Sequence, residues 1–375
     1  MEPRYVRGVG MTRFSVDDRS TISTSQEAVS KALADADMKV ADIDAVVLST
    51  EDTRVNDERQ RHYSAMLASI LKRKIPIIRV EAVCGGGGAA FWSACRMKYN
   101  NMLVLGVDKV ACSPTPLVTK EIMNAGDNFW EQEEGLVFPA INALVAQQHF
   151  TQYGTTHEDL ELISFKNHSN GALNPNAYFY KRPITLDTIK KGPMVASPFT
   201  LFDCSISVNG AAAAIISHDE GEIKVKASAL NTDRLAPFER ESLTEWKACT
   251  LAAKEAFKQA DLSPKDIHVA EIHDAFTIVE LIAYEDLGFA KKGEGAKLIR
   301  DGTVNLDGKM PVNTSGGLKA RGHPISPTGV AQIVEIADQL RNKCGDRQVS
   351  SPKYGLAHNV GGAGGTISVH IFGKR

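Results

Sequence analysis

The chain lacks the features of membrane, secreted and nucleic-acid-binding proteins. Its longest apolar runs, such as GAAAAIISH, are far shorter than the roughly 20 residues of a membrane span. The net charge of -2 is nearly balanced and no basic block is present, so nucleic-acid binding is not expected. MEPRYVRGVGMTRF lacks the apolar core of a signal peptide, and the final GKR is not a peroxisomal signal. We therefore expect a cytoplasmic protein that does not bind membranes.

Cysteine is scarce, and its spacing is typical of neither a disulfide framework nor a metal site. The six cysteines lie at positions 84, 95, 112, 204, 249 and 344. This pattern fits a reducing compartment and predicts no bound metal and no redox cofactor. With 375 residues, 43% of them hydrophobic, the chain is long enough to bury a large core in one or two domains.

Two internal repeats organise the chain. ALADADMKVADIDAVVLST (32–50) resembles AFKQADLSPKDIHVAEIHD (256–274) at an offset of 224 residues, and both read as helix, turn and buried strand. SVNGAAAAIISH (207–218) resembles NVGGAGGTISVH (359–370) at an offset of 152 residues. Two repeats in consistent order indicate a duplicated α/β unit, and the second repeat supplies its closing strands.

The duplication predicts an N-terminal half at 1–220 and a C-terminal half at 221–375. Because the two offsets differ, the first half should carry an insertion, which we place at about 116–195. Long insertions in α/β proteins usually serve as lids or binding surfaces. Within this one we predict a helix at 139–154 and an irregular segment at 166–183. Strands that alternate with amphipathic helices predict a layered α/β fold.

A lone cysteine lies where a strand gives way to a helix, in RVEAVCGGGGAAFWSACRM (79–97). The positive end of the helix dipole would favour the thiolate form of Cys84. The four following glycines would let a ligand approach the backbone, whose N–H groups could bind an oxyanion. The alternative is a small buried cysteine at a tight contact between helix and sheet.

Three later stretches carry histidines in loops that follow strands or precede helices. EIHDAFTIVE contains His273, PVNTSGGLKARGHPISPTG contains His323, and YGLAHNVGGAGGTISVHIF contains His358 and Asn359. Histidines in such places are often structural. A thiol, imidazoles and glycine-lined amides together can nevertheless supply a nucleophile, its base and an oxyanion hole.

These motifs resemble the thiolase superfamily over essentially the whole chain. VEAVCGGGGAA resembles its nucleophile loop, KNHSNGALNPNA its loop domain, and HDAFTIVE, NTSGGLKARGHP and HNVGGAGG its three C-terminal signature loops. Within the superfamily the loops are most similar to those of archaeal and sterol-carrier-protein-type thiolases. The resemblance implies a duplicated five-layered α-β-α-β-α sandwich with a loop domain inserted in the first half.

The resemblance also implies roles for individual residues. Cys84 would be the nucleophile that becomes acylated, and His323 would activate it. His273 would help to hold a thioester oxygen, and the backbone N–H groups of Cys84 and Gly361 would form a second oxyanion hole beside Asn359. The pantetheine arm of coenzyme A would pass a short stretch of the NTSGGLKARGHP loop, Ser315, Gly316 and Gly317.

The sequence departs from the family pattern at the second acid/base. Many thiolases use a cysteine where this chain has Asn359, and sterol-carrier-protein-type enzymes use one where it has Ala275. Either a histidine serves the carbon–carbon step, His358 or a doubly used His323, or that step is impaired. The acyl-transfer half-reaction is the safer expectation.

The implied function is acetyl-CoA C-acetyltransferase activity, with coenzyme A as substrate and product and no permanently bound cofactor. The resemblance also implies a homodimer or tetramer. It suggests a complex with hydroxymethylglutaryl-CoA synthase and a small zinc-ribbon/OB-fold protein at the head of the mevalonate route. Two alternatives remain: a condensing enzyme similar to hydroxymethylglutaryl-CoA synthase or ketoacyl synthase, and a non-catalytic acyl-CoA-binding or scaffolding subunit.

Overall fold

The first sequence repeat forms two matching helix–turn–strand units in the computed structural model, which describes residues 2–51, 58 and 60–375. Each unit's helix ends at an aspartate in the left-handed region, Asp37 (φ 51°) or Asp261 (φ 54°). A second aspartate then accepts a backbone N–H three residues before it: Asp42 from Lys39, and Asp266 from Ser263. The same turn chemistry therefore leads each helix into a buried strand.

Helices and strands alternate through both halves of the chain. The strands are β1 Tyr5–Met11, β2 Ala45–Ser49, β3 Ile77–Arg79, β4 Met102–Lys109, β5 Met194–Ala196, β6 Phe199–Thr200, β7 Asn209–Ser217, β8 Ile223–Thr232, β9 Val269–Ile272, β10 Tyr354–Gly361 and β11 Thr366–Lys374. The helices are α1 Thr21–Ala36, α2 Tyr63–Leu71, α3 Gly86–Ala94, α4 Thr115–Ile122, α5 Phe138–Tyr153, α6 His157–Leu173, α7 Leu186–Lys190, α8 Lys247–Ala260, α9 Thr277–Asp286, α10 Gly295–Arg300, α11 Gly317–Ala320 and α12 Pro327–Leu340. None of the helices in the described part of the chain has the length and apolar character that crossing a bilayer requires.

The main sheet shows the duplication in its strand order, β3-β2-β4-β7-β1-β8-β11-β10-β9. Read from the two ends, β2-β4-β7-β1 corresponds to β9-β10-β11-β8, with one parallel pair and then antiparallel pairs in each copy. The copies join where β1 pairs with β8 at Tyr5–Lys224 and Val6–Ile223. In the second copy, the position equivalent to β3 holds an isolated parallel bridge between Val312 and Ala270.

Helices α3 and α12 lie between the two half-sheets and contact strands of both. Helices α1 and α2 cover the outer face of the first half-sheet, and α8 that of the second, with α9 packed on α8. A Cβ on Gly87 would lie 2.5 Å from the carbonyl oxygen of Ser326, so only glycine lets α3 approach α12 this closely. The arrangement confirms the predicted five-layered, duplicated fold.

The inserted part of the first half is mainly helical. Helix α5 confirms the predicted helix at 139–154, but α6 continues to Leu173, so the prediction of an irregular segment at 166–183 is wrong for its first part. The polar residues of α6 face inward, where Lys166 pairs with Glu280, and Asn167 bonds to Asp274 and Glu280. The boundary at 220, between β7 and β8, and the loop-domain limits of 116–195 stay predictions.

Candidate active site

The turn that carries Cys84 joins β3 to α3 and has strained backbone geometry. Val83 has a φ of 51°, which costs a β-branched residue roughly 1–3 kcal/mol. A Cβ on Gly85 would lie 2.8 Å from the backbone nitrogen of Gly361, so the turn between β10 and β11 lies directly against this one. The close contact between the two turns places the Cys84 thiol where the two copies of the fold meet.

His323 is the imidazole nearest to this thiol, with Nε2 at 3.2 Å from Cys84 Sγ. Its other ring nitrogen, Nδ1, lies 2.7 Å from the hydroxyl of Thr328, and its backbone N–H donates to the carbonyl of Ile206 at 2.9 Å. A thiol that donates to Nε2 requires the proton on Nδ1, which then donates to Thr328. His323 is therefore oriented to receive the proton of Cys84.

Asn359 links the thiol turn to His273. Gly88 donates its N–H to Asn359 Oδ1 (3.0 Å), which fixes the amide so that Nδ2 donates to the Cys84 carbonyl (3.0 Å) and faces His273 Nδ1 (3.2 Å). Because Nδ1 of His273 accepts this bond, the neutral ring carries its proton on Nε2. The rings of His273 and His323 lie 5.5 Å apart and almost perpendicular. His273 is thus a donor, as an oxyanion hole requires.

The expectation of a Cys84 thiolate is wrong. Burial and the negative charge of Glu51 raise the pKa of Cys84 to about 12, despite an opposing backbone N–H from Gly362. Burial and the nearby Arg321 cation lower the pKa of His323 to about 3, and burial with His323 lowers the pKa of His273 well below its usual value. The site therefore contains a neutral thiol and two neutral imidazoles, and the thiol needs a base.

The backbone amide that acts on the sulfur of Cys84 is that of Gly362, together with the N–H of Cys84 itself. The amide expected from the sequence was that of Gly361, one residue earlier. Gly361 does lie against the turn, where a Cβ on it would come within 2.4 Å of the Ala82 carbonyl oxygen. The use of Gly361 for an oxyanion stays a prediction.

The structure does not place His358 with the other candidate residues. Neighbouring residues on a strand point to opposite faces, and Asn359 is the one that faces Cys84. His358 is buried on the other face, where Nε2 contacts the sulfur of Cys249 at 3.5 Å. Its position therefore contradicts a direct role as the second acid/base.

Ser315, Gly316 and Gly317, the three residues expected along pantetheine, are buried and contact other parts of the protein. The Ser315 hydroxyl bonds to Glu271 Oε2 at 2.5 Å and accepts from Arg321 at 3.1 Å. A Cβ on Gly316 would lie within 2.5 Å of the α6 backbone, and one on Gly317 within 2.3 Å of Asp274. Their contacts therefore support the loop that carries His323. The contact of this stretch with coenzyme A stays a prediction.

Sequence reasoning missed two parts of this site. One is Thr328, which lies five residues after His323 and is the second residue of α12. The other is the segment 204–207, where Ser205 donates its N–H to the Ala275 carbonyl at 2.9 Å and Ser207 forms a bridge to His323. Nothing in its composition distinguishes this segment from an ordinary strand lead-in.

Comparison with known families agrees with the geometry. Residues 8–197 match the family described as "Thiolase, N-terminal domain", and residues 229–374 match "Thiolase C-terminal domain-like". The chain belongs to the thiolase family. As a thiolase it is an acyltransferase, and its cysteine–histidine contact lies where the two matched regions meet.

Individual relatives extend this comparison. The acetyl-CoA acetyltransferase of Methanothermobacter thermautotrophicus is 40% identical, covering 98% of this thiolase and 99% of the relative. Bovine sterol carrier protein 2 is 31% identical, covering 98% of this chain and 72% of that protein. The Ltp2-ChsH2(DUF35) aldolase shares the fold, with a TM-score of 0.84 and 24% identity over 100% of this chain and 98% of that one.

The contact between Thr328 and His323 leads to a prediction. Thr328→Val removes the hydroxyl oxygen that accepts from Nδ1 and leaves a buried N–H without a partner. We expect acetylation of Cys84 to slow by about 10- to 100-fold, the range for about 1–3 kcal/mol of lost hydrogen bonding. Rapid-quench mass spectrometry measures this rate. Thr328→Ser keeps the hydroxyl and should restore most of it; a slow serine variant would contradict the assigned role.

Proposed function

We propose that this thiolase is an acetyl-CoA C-acetyltransferase, an acetoacetyl-CoA thiolase that works through an acetylated Cys84. The observation that carries the proposal is the 3.2 Å contact between Cys84 Sγ and His323 Nε2. The name of the archaeal relative, 40% identical over nearly its whole length, supports the acetyl group as the one transferred. Coenzyme A enters only as substrate and product, and we propose no permanently bound cofactor.

In the first half-reaction, Cys84 gives its proton to His323 as the sulfur attacks the thioester carbonyl of acetyl-CoA. The developing oxyanion would be stabilised by N–H donors: the backbone amides of Cys84 and Gly361 or Gly362, and the Nε2–H of His273. His323 then returns the proton to the departing thiolate of coenzyme A. The products are acetyl-Cys84 and free coenzyme A, and the imidazole is neutral again.

In the second half-reaction, a second acetyl-CoA loses a methyl proton, and its carbanion attacks the carbonyl of acetyl-Cys84. The carbon–sulfur bond breaks, acetoacetyl-CoA leaves and the thiol is restored. The direction that cleaves acetoacetyl-CoA is favourable, so synthesis depends on removal of the product by a following enzyme.

Intact-mass spectrometry after incubation with acetyl-CoA tests the first half-reaction. We expect one acetyl adduct per chain, and its absence would favour the scaffolding alternative. The second test is cleavage of acetoacetyl-CoA by added coenzyme A, which is monitored through the loss of absorbance of the acetoacetyl-CoA enolate. An acetylated enzyme that does not cleave acetoacetyl-CoA would instead favour a synthase-like condensing enzyme.

We also propose that the protein acts in the cytoplasm, as a homodimer or tetramer at the head of the mevalonate route. Six free cysteines fit a reducing compartment. Because acetoacetyl-CoA formation is uphill, association with hydroxymethylglutaryl-CoA synthase would help to draw the reaction forward. A small zinc-ribbon/OB-fold protein would join the complex, and the solved aldolase of the same fold, which contains a DUF35 partner, is consistent with such an assembly. Size-exclusion chromatography and pull-down of the native operon products test this, and separate elution of the proteins would refute the complex.

A further inference from the structure

The carbon–carbon step needs a group that removes a methyl proton from acetyl-CoA, and the obvious positions do not supply one. Asn359 and Ala275 have no basic atom, and His358 faces Cys249. His323 is already engaged with the sulfur. We propose that the carboxylate of Glu51, at the end of β2, is this second acid/base. The inference rests on the proposed function and assigns a residue to its second half-reaction.

The end of β2 lies against the turn that carries Cys84. A Cβ on Gly86 would lie only 2.2 Å from the Ser49 hydroxyl oxygen. The end of β2 and the first turn of α3 are therefore in direct contact. The duplication gives an independent indication. At the offset of 224 residues, Glu51 in the first copy corresponds to Ala275 in the second, which lies beside His273. The two copies thus bring equivalent strand ends to the same site.

The backbone of Glu51 is linked to the loop of His323 through the buried carboxylate of Asp108. Asp108 accepts the backbone N–H of Glu51 (2.7 Å) and the Thr50 hydroxyl (3.0 Å) with Oδ1, and the N–H of Ser326 (2.7 Å) with Oδ2. Arg79 also holds this strand end, since its Nε and Nη2 donate to the Thr50 carbonyl at 3.0 and 2.8 Å. The backbone of Glu51 therefore keeps a fixed position relative to His323.

Two carboxylates act on the sulfur of Cys84, and they differ in exposure. Both Glu51 and Asp108 raise the pKa of Cys84, Glu51 by more. Asp108 is 3% exposed, and both of its oxygens already accept hydrogen bonds. Glu51 follows the carboxyl end of β2 and is half-buried. A half-buried glutamate whose charge acts on the nucleophile is suited to exchange protons with a bound thioester.

The step balances as follows. Glu51 takes a proton from the methyl carbon of acetyl-CoA, and the electron pair of that C–H bond forms the new carbon–carbon bond to the carbonyl of acetyl-Cys84. The carbon–sulfur bond breaks, and its electrons stay on the sulfur. The proton held by Glu51 then passes to the sulfur, so the thiol and the carboxylate are both restored. No redox partner is required.

Glu51→Gln tests this assignment because it keeps the side-chain shape and removes the basic oxygen. We expect the rate of deuterium exchange into the methyl group of acetyl-CoA, measured by NMR in D2O, to fall by about 100-fold or more. The rate of acetoacetyl-CoA cleavage should fall with it. Acetylation of Cys84, measured as exchange of labelled coenzyme A into acetyl-CoA, should not slow, because removing the charge of Glu51 lowers the pKa of the thiol. Glu81→Gln is the matched control, since this neighbouring carboxylate is 62% exposed and paired with Arg79.

Retained methyl exchange in Glu51→Gln would overturn the inference. A second result would also overturn it: Glu51→Gln loses acetylation of Cys84 as well as methyl exchange, while its urea midpoint stays that of wild type. The role of Glu51 would then not be confined to the second half-reaction. Glu51→Asp keeps the carboxylate and should lie between wild type and glutamine in methyl exchange. If wild-type protein forms no acetyl adduct at all, the proposed function itself fails, which is distinguishable from a failure of Glu51.

Discussion

Replacing Cys84 with alanine is expected to abolish the acetyl adduct and to lower acetoacetyl-CoA cleavage by about 10⁴-fold or more. No other thiol lies beside the two imidazoles in the described residues: Cys95, Cys249 and Cys344 are buried in the cores, and Cys204 bonds to the Thr200 carbonyl. Without the sulfur there is no group to hold the acetyl between the two half-reactions. Intact-mass spectrometry and a spectrophotometric cleavage assay measure the two effects.

The matched control is Cys112→Ala, because Cys112 is also half-buried but its sulfur contacts the Lys109 carbonyl instead of an imidazole. This variant should acquire the adduct as wild type does. An acetyl group that persists in Cys84→Ala, or that maps to another cysteine after proteolysis, would show that the nucleophile has been misassigned.

The second large effect is expected for His323→Asn, which should slow acetylation of Cys84 by about 10²- to 10⁴-fold at neutral pH. The reason is the pKa of the thiol, which burial and Glu51 raise to about 12. With a pKa of about 3, His323 is neutral and able to accept a proton at every pH from about 5 to 9. Wild-type acetylation should therefore be nearly independent of pH across this range.

The variant should behave differently, because a thiol without its base reacts only through its small ionised fraction. That fraction grows about tenfold for each pH unit below the pKa, so the rate of the variant should rise with the same slope. His358→Asn provides a control imidazole outside the site and should keep the flat wild-type profile. A flat profile in His323→Asn would contradict its role as base.

Most of the fold could be predicted because local chemistry is repeated in the sequence. The aspartates at 37 and 261 mark equivalent helix ends, and those at 42 and 266 fix equivalent turns before β2 and β9. Two repeats in consistent order were sufficient to identify the duplication, whereas the limits of the insertion stay predictions. The loops with Cys84, His273, His323 and Asn359 could be identified because, taken together and in order, they resemble the signature loops of a known family.

The remaining features depend on tertiary contacts that a linear pattern does not contain. Gly316 and Gly317 are buried against α6 and Asp274, which no pattern in the sequence indicates. The position of Cys84 before a helix suggested a thiolate, but burial and a carboxylate 33 positions earlier in the chain outweigh the dipole. His358 and Asn359 are adjacent, and only the strand register decides which of them faces the sulfur.

The two copies of the α/β unit no longer share one set of duties. The first contributes the turn that carries Cys84, whereas the second contributes both imidazoles and the Asn359 amide that contacts His273. The thiol and its imidazole partner therefore meet only where the two copies touch, so the contact depends on how one copy packs against the other.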